Sequence, residues 1–123
     1  MLTTMILAND HDAMVTFYRS GFGLEAVDTP HSSDGYTVLA GDDIRISIHV
    51  VPPDIAAQIP IADPPVPRSR TALKLLFEVP DVSAACDRLA GLGAQLFETD
   101  DEDAVDVCDV EGNVLRIMLA DDR

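Results

Sequence analysis

Asp10-His11-Asp12-Ala13-Met14-Val15-Thr16-Phe17-Tyr18-Arg19-Ser20-Gly21-Phe22-Gly23-Leu24 has a counterpart seventy residues further on, Pro80-Asp81-Val82-Ser83-Ala84-Ala85-Cys86-Asp87-Arg88-Leu89-Ala90-Gly91-Leu92-Gly93-Ala94. In both stretches an extended apolar run meets acidic residues, a short amphipathic segment follows, and a Gly-x-Gly closes it. Gly21 matches Gly91 and Gly23 matches Gly93 at one offset. Repetition of this kind points to two copies of one supersecondary unit, and it sets the architecture before any single residue is interpreted.

Working outward, Thr3 to Ala8 reads as a strand, and Asn9 or Asp10 as the N-cap of a helix whose apolar face draws on Ala13, Val15, Phe17 and Tyr18. Gly21 and Gly23 stop that helix. Leu24 to Asp28 and Tyr36 to Ala40 read as strands separated by turn chemistry, Thr29-Pro30-His31-Ser32-Ser33-Asp34-Gly35. Ile44 to Val50 alternates strictly, the mark of a strand with two unlike faces. The prolines between Pro52 and Pro67 leave few backbone donors for a sheet, so 52–70 reads as a connector, with a turn of helix at Asp54 to Gln58. The order then repeats: strand Ala72 to Val79, helix Val82 to Ala90 with Asp81 as its cap, and strands Ala94 to Glu98, Ala104 to Asp109 and Val114 to Leu119. Thr99 to Asp103 reads as a solvated acidic turn. The expectation is a single α+β domain over 1–123, made of two βαβββ modules, about 1–51 and about 71–123, joined by the Pro-rich connector.

Composition narrows the function. An apolar share of 47% across 123 residues supports a packed core rather than an acidic disordered chain. No apolar run is long enough to span a membrane, and the first residues carry no basic, cleavable leader, which makes the cytoplasm the default. Cys86 and Cys108 lie inside regular elements and read as reduced thiols rather than a disulfide. With 22 acidic against 8 basic residues the net charge is -14, which disfavours nucleic acid and anionic lipid as partners. The same charge suits either a cationic ligand or simple solubility.

Four motifs in order resemble the vicinal oxygen chelate superfamily of glyoxalases, bleomycin-resistance proteins and extradiol dioxygenases. They are Phe17-Tyr18 followed by Gly21-Phe22-Gly23-Leu24-Glu25; Phe77-Glu78-Val79-Pro80-Asp81-Val82; Leu89-Ala90-Gly91-Leu92-Gly93-Ala94; and Asp109-Val110-Glu111-Gly112-Asn113, where Val110 replaces the family's proline. The resemblance implies curled mixed sheets around a shared cavity, with helices on their outer faces, and a homodimer in which a partner chain helps to close the cavity. Alternation then sends Ile44, Ile46 and Ile48, then Leu73, Leu75, Phe77 and Val79, and finally Leu115, Ile117 and Leu119 to the core. Arg45, Ser47 and His49, Lys74, Leu76 and Glu78, and Val114, Arg116 and Met118 are left for the cavity, together with Thr4 and Ile6 from the first strand.

Metal-dependent members of the superfamily hold a divalent ion with four His or Glu side chains at equivalent strand positions. Carried over residue by residue, those positions are Thr4, Ser47, Lys74 and Arg116, none of them an ordinary ligand for such an ion. The expectation is no metal and no other cofactor. His11 and His31 read as exposed, and His49 as a cavity residue with Glu78 as a conceivable second ligand. Binding of a small molecule, as in drug-sequestering resistance proteins or a biosynthetic accessory, is the first functional expectation. Against a cationic drug stand the absence of tryptophan and the basic character of Arg45, Lys74 and Arg116, which suits a carboxylate, phosphate or phenolate. A metal-independent isomerase or lyase using Lys74, His49 and Arg116 is the alternative, and a metal-dependent lyase or dioxygenase with displaced ligands comes third. Lys74 and Arg116 can equally pair with Glu78, Glu98 or Asp106 and serve structure alone.

Overall fold

The computed structural model describes residues 1–68, 72–97 and 103–120. The chain divides into two compact units, Met1–Pro60 and Ile61–Arg123. The first contains β1 (Thr4–Ala8), α1 (His11–Phe22), β2 (Glu25–Val27), β3 (Tyr36–Ala40), β4 (Arg45–Val50) and α2 (Pro53–Ala56). The second contains β5 (Leu75–Val79), α3 (Val82–Gly91), β6 (Gln95–Leu96), β7 (Ala104–Cys108) and β8 (Val114–Leu119). The sheets share one topology, β1-β4-β3-β2 and β5-β8-β7-β6. In each, the first and last strands of the module run parallel and the remaining pairs antiparallel. The expected α+β fold of two βαβββ modules is the one observed.

The helix length follows from this order. The first and second strands of a module lie at opposite edges of its sheet, three strand spacings or about 14 Å apart. A helix of 12 residues, the length of α1, spans about 18 Å and carries the chain across. On the way α1 lies against β3 and β4, and α3 lies against β8, β7 and β6. The helices start alike: the Asp10 side chain accepts from the Ala13 amide at 3.1 Å, and that of Asp81 from the Ala84 amide at 3.0 Å. They end near glycines with positive φ, 66° at Gly23 and 101° at Gly93. The caps are 71 residues apart and these glycines 70, so the helical segment of the second copy is one residue shorter than that of the first.

Burial corrects several sequence expectations. The buried stripe of α1 is Met14, Phe17, Tyr18 and Gly21, an i, i+3, i+4, i+7 spacing that leaves Ala13 exposed. Phe17 meets Tyr18 edge-on at 5.1 Å, and Tyr18 stacks with Phe22 at 6.0 Å. In α3 the stripe shrinks to Ala85, Cys86 and Leu89. Ile46, Ile48, Phe77, Val79, Leu115 and Ile117 are buried as alternation requires. Leu73, expected in the core, is 87% exposed because β5 begins only at Leu75, and Leu119 is 44% exposed at the end of β8. Expected features at Glu98 and Thr99 to Glu102, and the last residues of the connector, Ser69 and Arg70, lie outside the described residues.

The turn Asp109-Val110-Glu111-Gly112-Asn113 is held by one buried carboxylate. Asp109 Oδ1 accepts from the Glu111 and Asn113 amides at 2.9 and 3.0 Å, and Oδ2 accepts from Asn113 Nδ2 at 2.8 Å. Gly112 has φ 88°, and a Cβ there would run into the Val66 carbonyl. Its own carbonyl accepts from the Arg68 amide at 2.8 Å, which pins the end of the connector to the turn. Loss of Asp109 leaves one buried and two part-buried donors without their carboxylate, whereas the helix-cap bond of Asp10 is exposed to water. Asp109→Ala should therefore destabilise the chain by about 2–4 kcal/mol and Asp10→Ala by about 1 kcal/mol. Urea unfolding of the two variants measures both, and equal losses would show that the turn carboxylate is not a keystone.

Candidate functional site

Strand register defines the two faces of the second sheet. Leu75, Leu115 and Val107 form one row, and Phe77, Ile117 and Val105 the next, on the face whose β8 residues are fully buried. The opposite face carries the row Leu76, Arg116 and Asp106, flanked by Glu78, Met118 and Ala104 on one side and by Val114 and Cys108 on the other. Leu76 is 51% exposed, Glu78 is exposed, and Val114, Arg116 and Met118 are half-buried. Lys74 lies one residue before β5, on the same parity as Leu76.

Three charges meet on this face. Lys74 Nζ donates to Asp106 Oδ2 at 2.9 Å. Arg116 donates through Nε to Oδ1 at 2.8 Å and through Nη2 to Oδ2 at 3.4 Å. The Arg116 hydrogen bond holds the Asp106 carboxyl below the usual carboxylate range; partial burial opposes this, and Lys74 adds to the lowering. Of the three candidate partners for the two cations, Asp106 contacts both, and Glu98 lies outside the described residues. Both cationic side chains remain 37% exposed. Asp106 is the site residue missing from the sequence-derived set. Its signal was available: in Ala104-Val105-Asp106-Val107-Cys108 alternation sets Asp106 apart from Val105 and Val107.

In the first unit the corresponding face carries Met5, Ser47 and Val38 in one row and Leu7, His49 and Tyr36 in the next, with Arg45 beside Ala40. Ser47 is 1% exposed, whereas His49 is exposed and meets the Tyr36 ring edge-on at 5.4 Å. Arg45 Nη1 lies 3.7 Å from Met1 Sδ. Thr4 and Ile6 do not belong to this face. They pair with Ile46 and Ile48, and Ile6 is buried with them on the helix side. The error arose because Thr4-Met5-Ile6-Leu7-Ala8 has no polar alternation, so parity could not be read from it. His11 departs from expectation too: its side chain is only 11% exposed, 2.8 Å from Asp12 Oδ1 and 2.9 Å from Thr37 Oγ1.

The donor set does not suit the divalent ion implied by the resemblance. With the parity of β1 corrected, the first-strand position falls on Thr3, Met5 or Leu7, and the others remain Ser47, Lys74 and Arg116. A hydroxyl or thioether, a second hydroxyl, an ammonium and a guanidinium do not form a site for such an ion. Among the described residues no three His, Cys, Asp or Glu side chains come together as ligands. Cys86 and Cys108 are free and buried, and burial pushes both thiols up, away from nucleophilic thiolate.

The lowered Asp106 carboxyl has a pH signature. A carboxylate lowered in the folded state stabilises it above its unfolded value of about 3.9 and ceases to do so as pH falls through the folded value. Urea titrations of the wild type and Asp106→Asn should differ by a constant stability above about pH 5, and the difference should shrink as acid protonates Asp106. A difference independent of pH would show that the ion cluster contributes nothing.

Comparison with known proteins follows the same lines. A family model described as a glyoxalase-like domain matches residues 3–118. A glyoxalase/bleomycin resistance protein/dioxygenase family enzyme from Burkholderia phytofirmans PsJN superposes with a TM-score of 0.70 at 21% identity, covering 94% of each chain. The fosfomycin resistance protein FosX from Mesorhizobium loti gives 0.70 at 11% identity, covering 98% of this chain and 91% of that one. Lactoylglutathione lyase from Agrobacterium tumefaciens gives 0.64 at 20% identity, covering 98% and 92%. A search of curated protein sequences found no match. At these identities the structural likenesses speak for the fold alone, but the family model spans nearly the whole chain: this protein belongs to the glyoxalase-like domain family, within the vicinal oxygen chelate superfamily.

Proposed function

We propose that this protein binds a small organic anion without a metal ion, using the face of the second sheet that carries Lys74, Leu76, Arg116 and Met118. The observation that supports this reading best is the Lys74–Asp106–Arg116 cluster, at two of the positions where the resemblance implies metal ligands. Asp106 fixes both cations, so little side-chain freedom is lost when an anion joins them. Arg116 and Lys74 are reachable donors for a carboxylate, phosphate or phenolate, and Leu76 and Met118 offer apolar surface to its organic part.

The net charge of -14 does not argue against an anion. At physiological salt the screening length is about 8 Å, so the contacting charges outweigh the distant carboxylates. Lys74 is engaged as a donor to Asp106, which favours recognition over proton abstraction. Sequestration of an antibiotic, or delivery of an intermediate in a biosynthetic pathway, fits this chemistry. A homodimer would supply further surface to enclose the ligand.

Thermal shift with matched aromatic carboxylates and aromatic amines tests the reading. Carboxylates should raise the melting temperature and amines should not. Arg116→Gln should weaken binding of a responding carboxylate about ten- to hundredfold, the loss of one charge-assisted hydrogen bond, measured by calorimetry. The ligand should be recovered unchanged after long incubation, and protein purified without chelator should carry no stoichiometric divalent metal. Stabilisation by amines alone, or a full complement of metal, would overturn the proposal.

A further inference from the structure

We propose a second, separate ligand site in the first unit: a pocket at the carboxyl ends of β1 and β4 that takes a small, neutral, flat aromatic molecule bearing one hydroxyl or ring nitrogen. The pocket is an open cleft of about 590 Å³ lined by Asn9, His49, Val50, Val51, Pro52, Pro53 and Ala56. That volume is within the range of small-molecule sites, and so is the lining, mostly apolar with a few polar groups. None of these residues belongs to the Lys74 cluster, so the inference does not rest on the function proposed above.

The walls are preformed. Val51 donates its amide to the Ala8 carbonyl at 2.9 Å, which ties the strand ends together. Asn9 Nδ2 donates to the Ile59 carbonyl at 2.8 Å and to that of Ala56 at 3.4 Å, which holds α2 against the end of β1. Pro52 and Pro53 have fixed φ and flat apolar rings, so the wall they form loses little freedom when a ring packs on it.

His49 supplies the directional contact. Its ring is set by the edge-on contact with Tyr36, and among the described residues no hydrogen bond engages its nitrogens. A neutral imidazole offers one donor and one acceptor, which matches a phenol or an azine better than a fully charged group. An apolar lining with no lysine or arginine gives an anion no counter-charge, and this chemistry separates the pocket from the Lys74 platform.

The test is a titration of the ¹⁵N-labelled full chain with 2-naphthol, followed by amide shifts. Shifts should centre on His49, Val51 and Ala56 and saturate at submillimolar concentration. His49→Ala should weaken binding at least fivefold, and Ala56→Trp, which fills the pocket from the end of α2, should abolish it, with spectra otherwise native. The double variant Lys74→Gln/Arg116→Gln should bind 2-naphthol as the wild type does, even if it has lost all affinity for carboxylates. Absence of saturation, shifts that map elsewhere, or affinity unchanged in both His49→Ala and Ala56→Trp would overturn the proposal.

Discussion

Each module rests on the parallel pairing of its first and last strands, β1 with β4 and β5 with β8. Two parallel neighbours cannot be joined by a hairpin, so the chain must leave the first strand, cross the sheet and return. The helix makes the crossing, and two antiparallel steps bring the last strand back beside the first. One face of each sheet is thereby committed to a helix, and the other face is left to whatever side chains the alternate positions carry. The aspartate caps and the positive-φ glycines are the local means of starting and stopping the crossing at the right length.

At the ligand positions implied by the resemblance, the uncommitted face carries side chains that are not ordinary ligands for a divalent ion. On the second sheet two cations share one carboxylate, and the row is completed by an exposed leucine. That combination stores charge in a fixed geometry without burying it, because each cation is still partly in contact with water. On the first sheet the polar groups are treated differently. Ser47 is buried, while His49 stands exposed against an aromatic edge at the mouth of a proline-walled pocket. The two modules share their aspartate caps and positive-φ glycines but differ in the side chains on the face away from the helix and in the buried stripe of the helix itself.

Much of the fold was legible because it is written in local terms. Asp10 and Asp81 are caps wherever their helices lie, Gly23 and Gly93 take a conformation other residues resist, and Ile44 to Val50 alternates by itself. The site was only partly legible. The positions of Ser47, Lys74 and Arg116 follow from alternation, but the first strand has apolar residues on both faces and gives no parity, so only the pairing with Ile46 and Ile48 shows that Thr4 and Ile6 face the helix side. Leu73 looked like core only because the start of its strand could not be located from a run of apolar residues.

By itself the sequence determined the repeat, the order of elements and the unsuitability of the family's ligand positions for a divalent ion, since each depends on residue type and spacing along the chain. Tertiary structure decided which residues are neighbours. That Asp106, rather than Glu78, takes both Lys74 and Arg116, that Ile6 follows Ile48 under a helix, and that His11 reaches Thr37 are matters of strand register and packing between distant segments. Register is set by the burial of whole faces at once, and no single stretch of sequence contains that information.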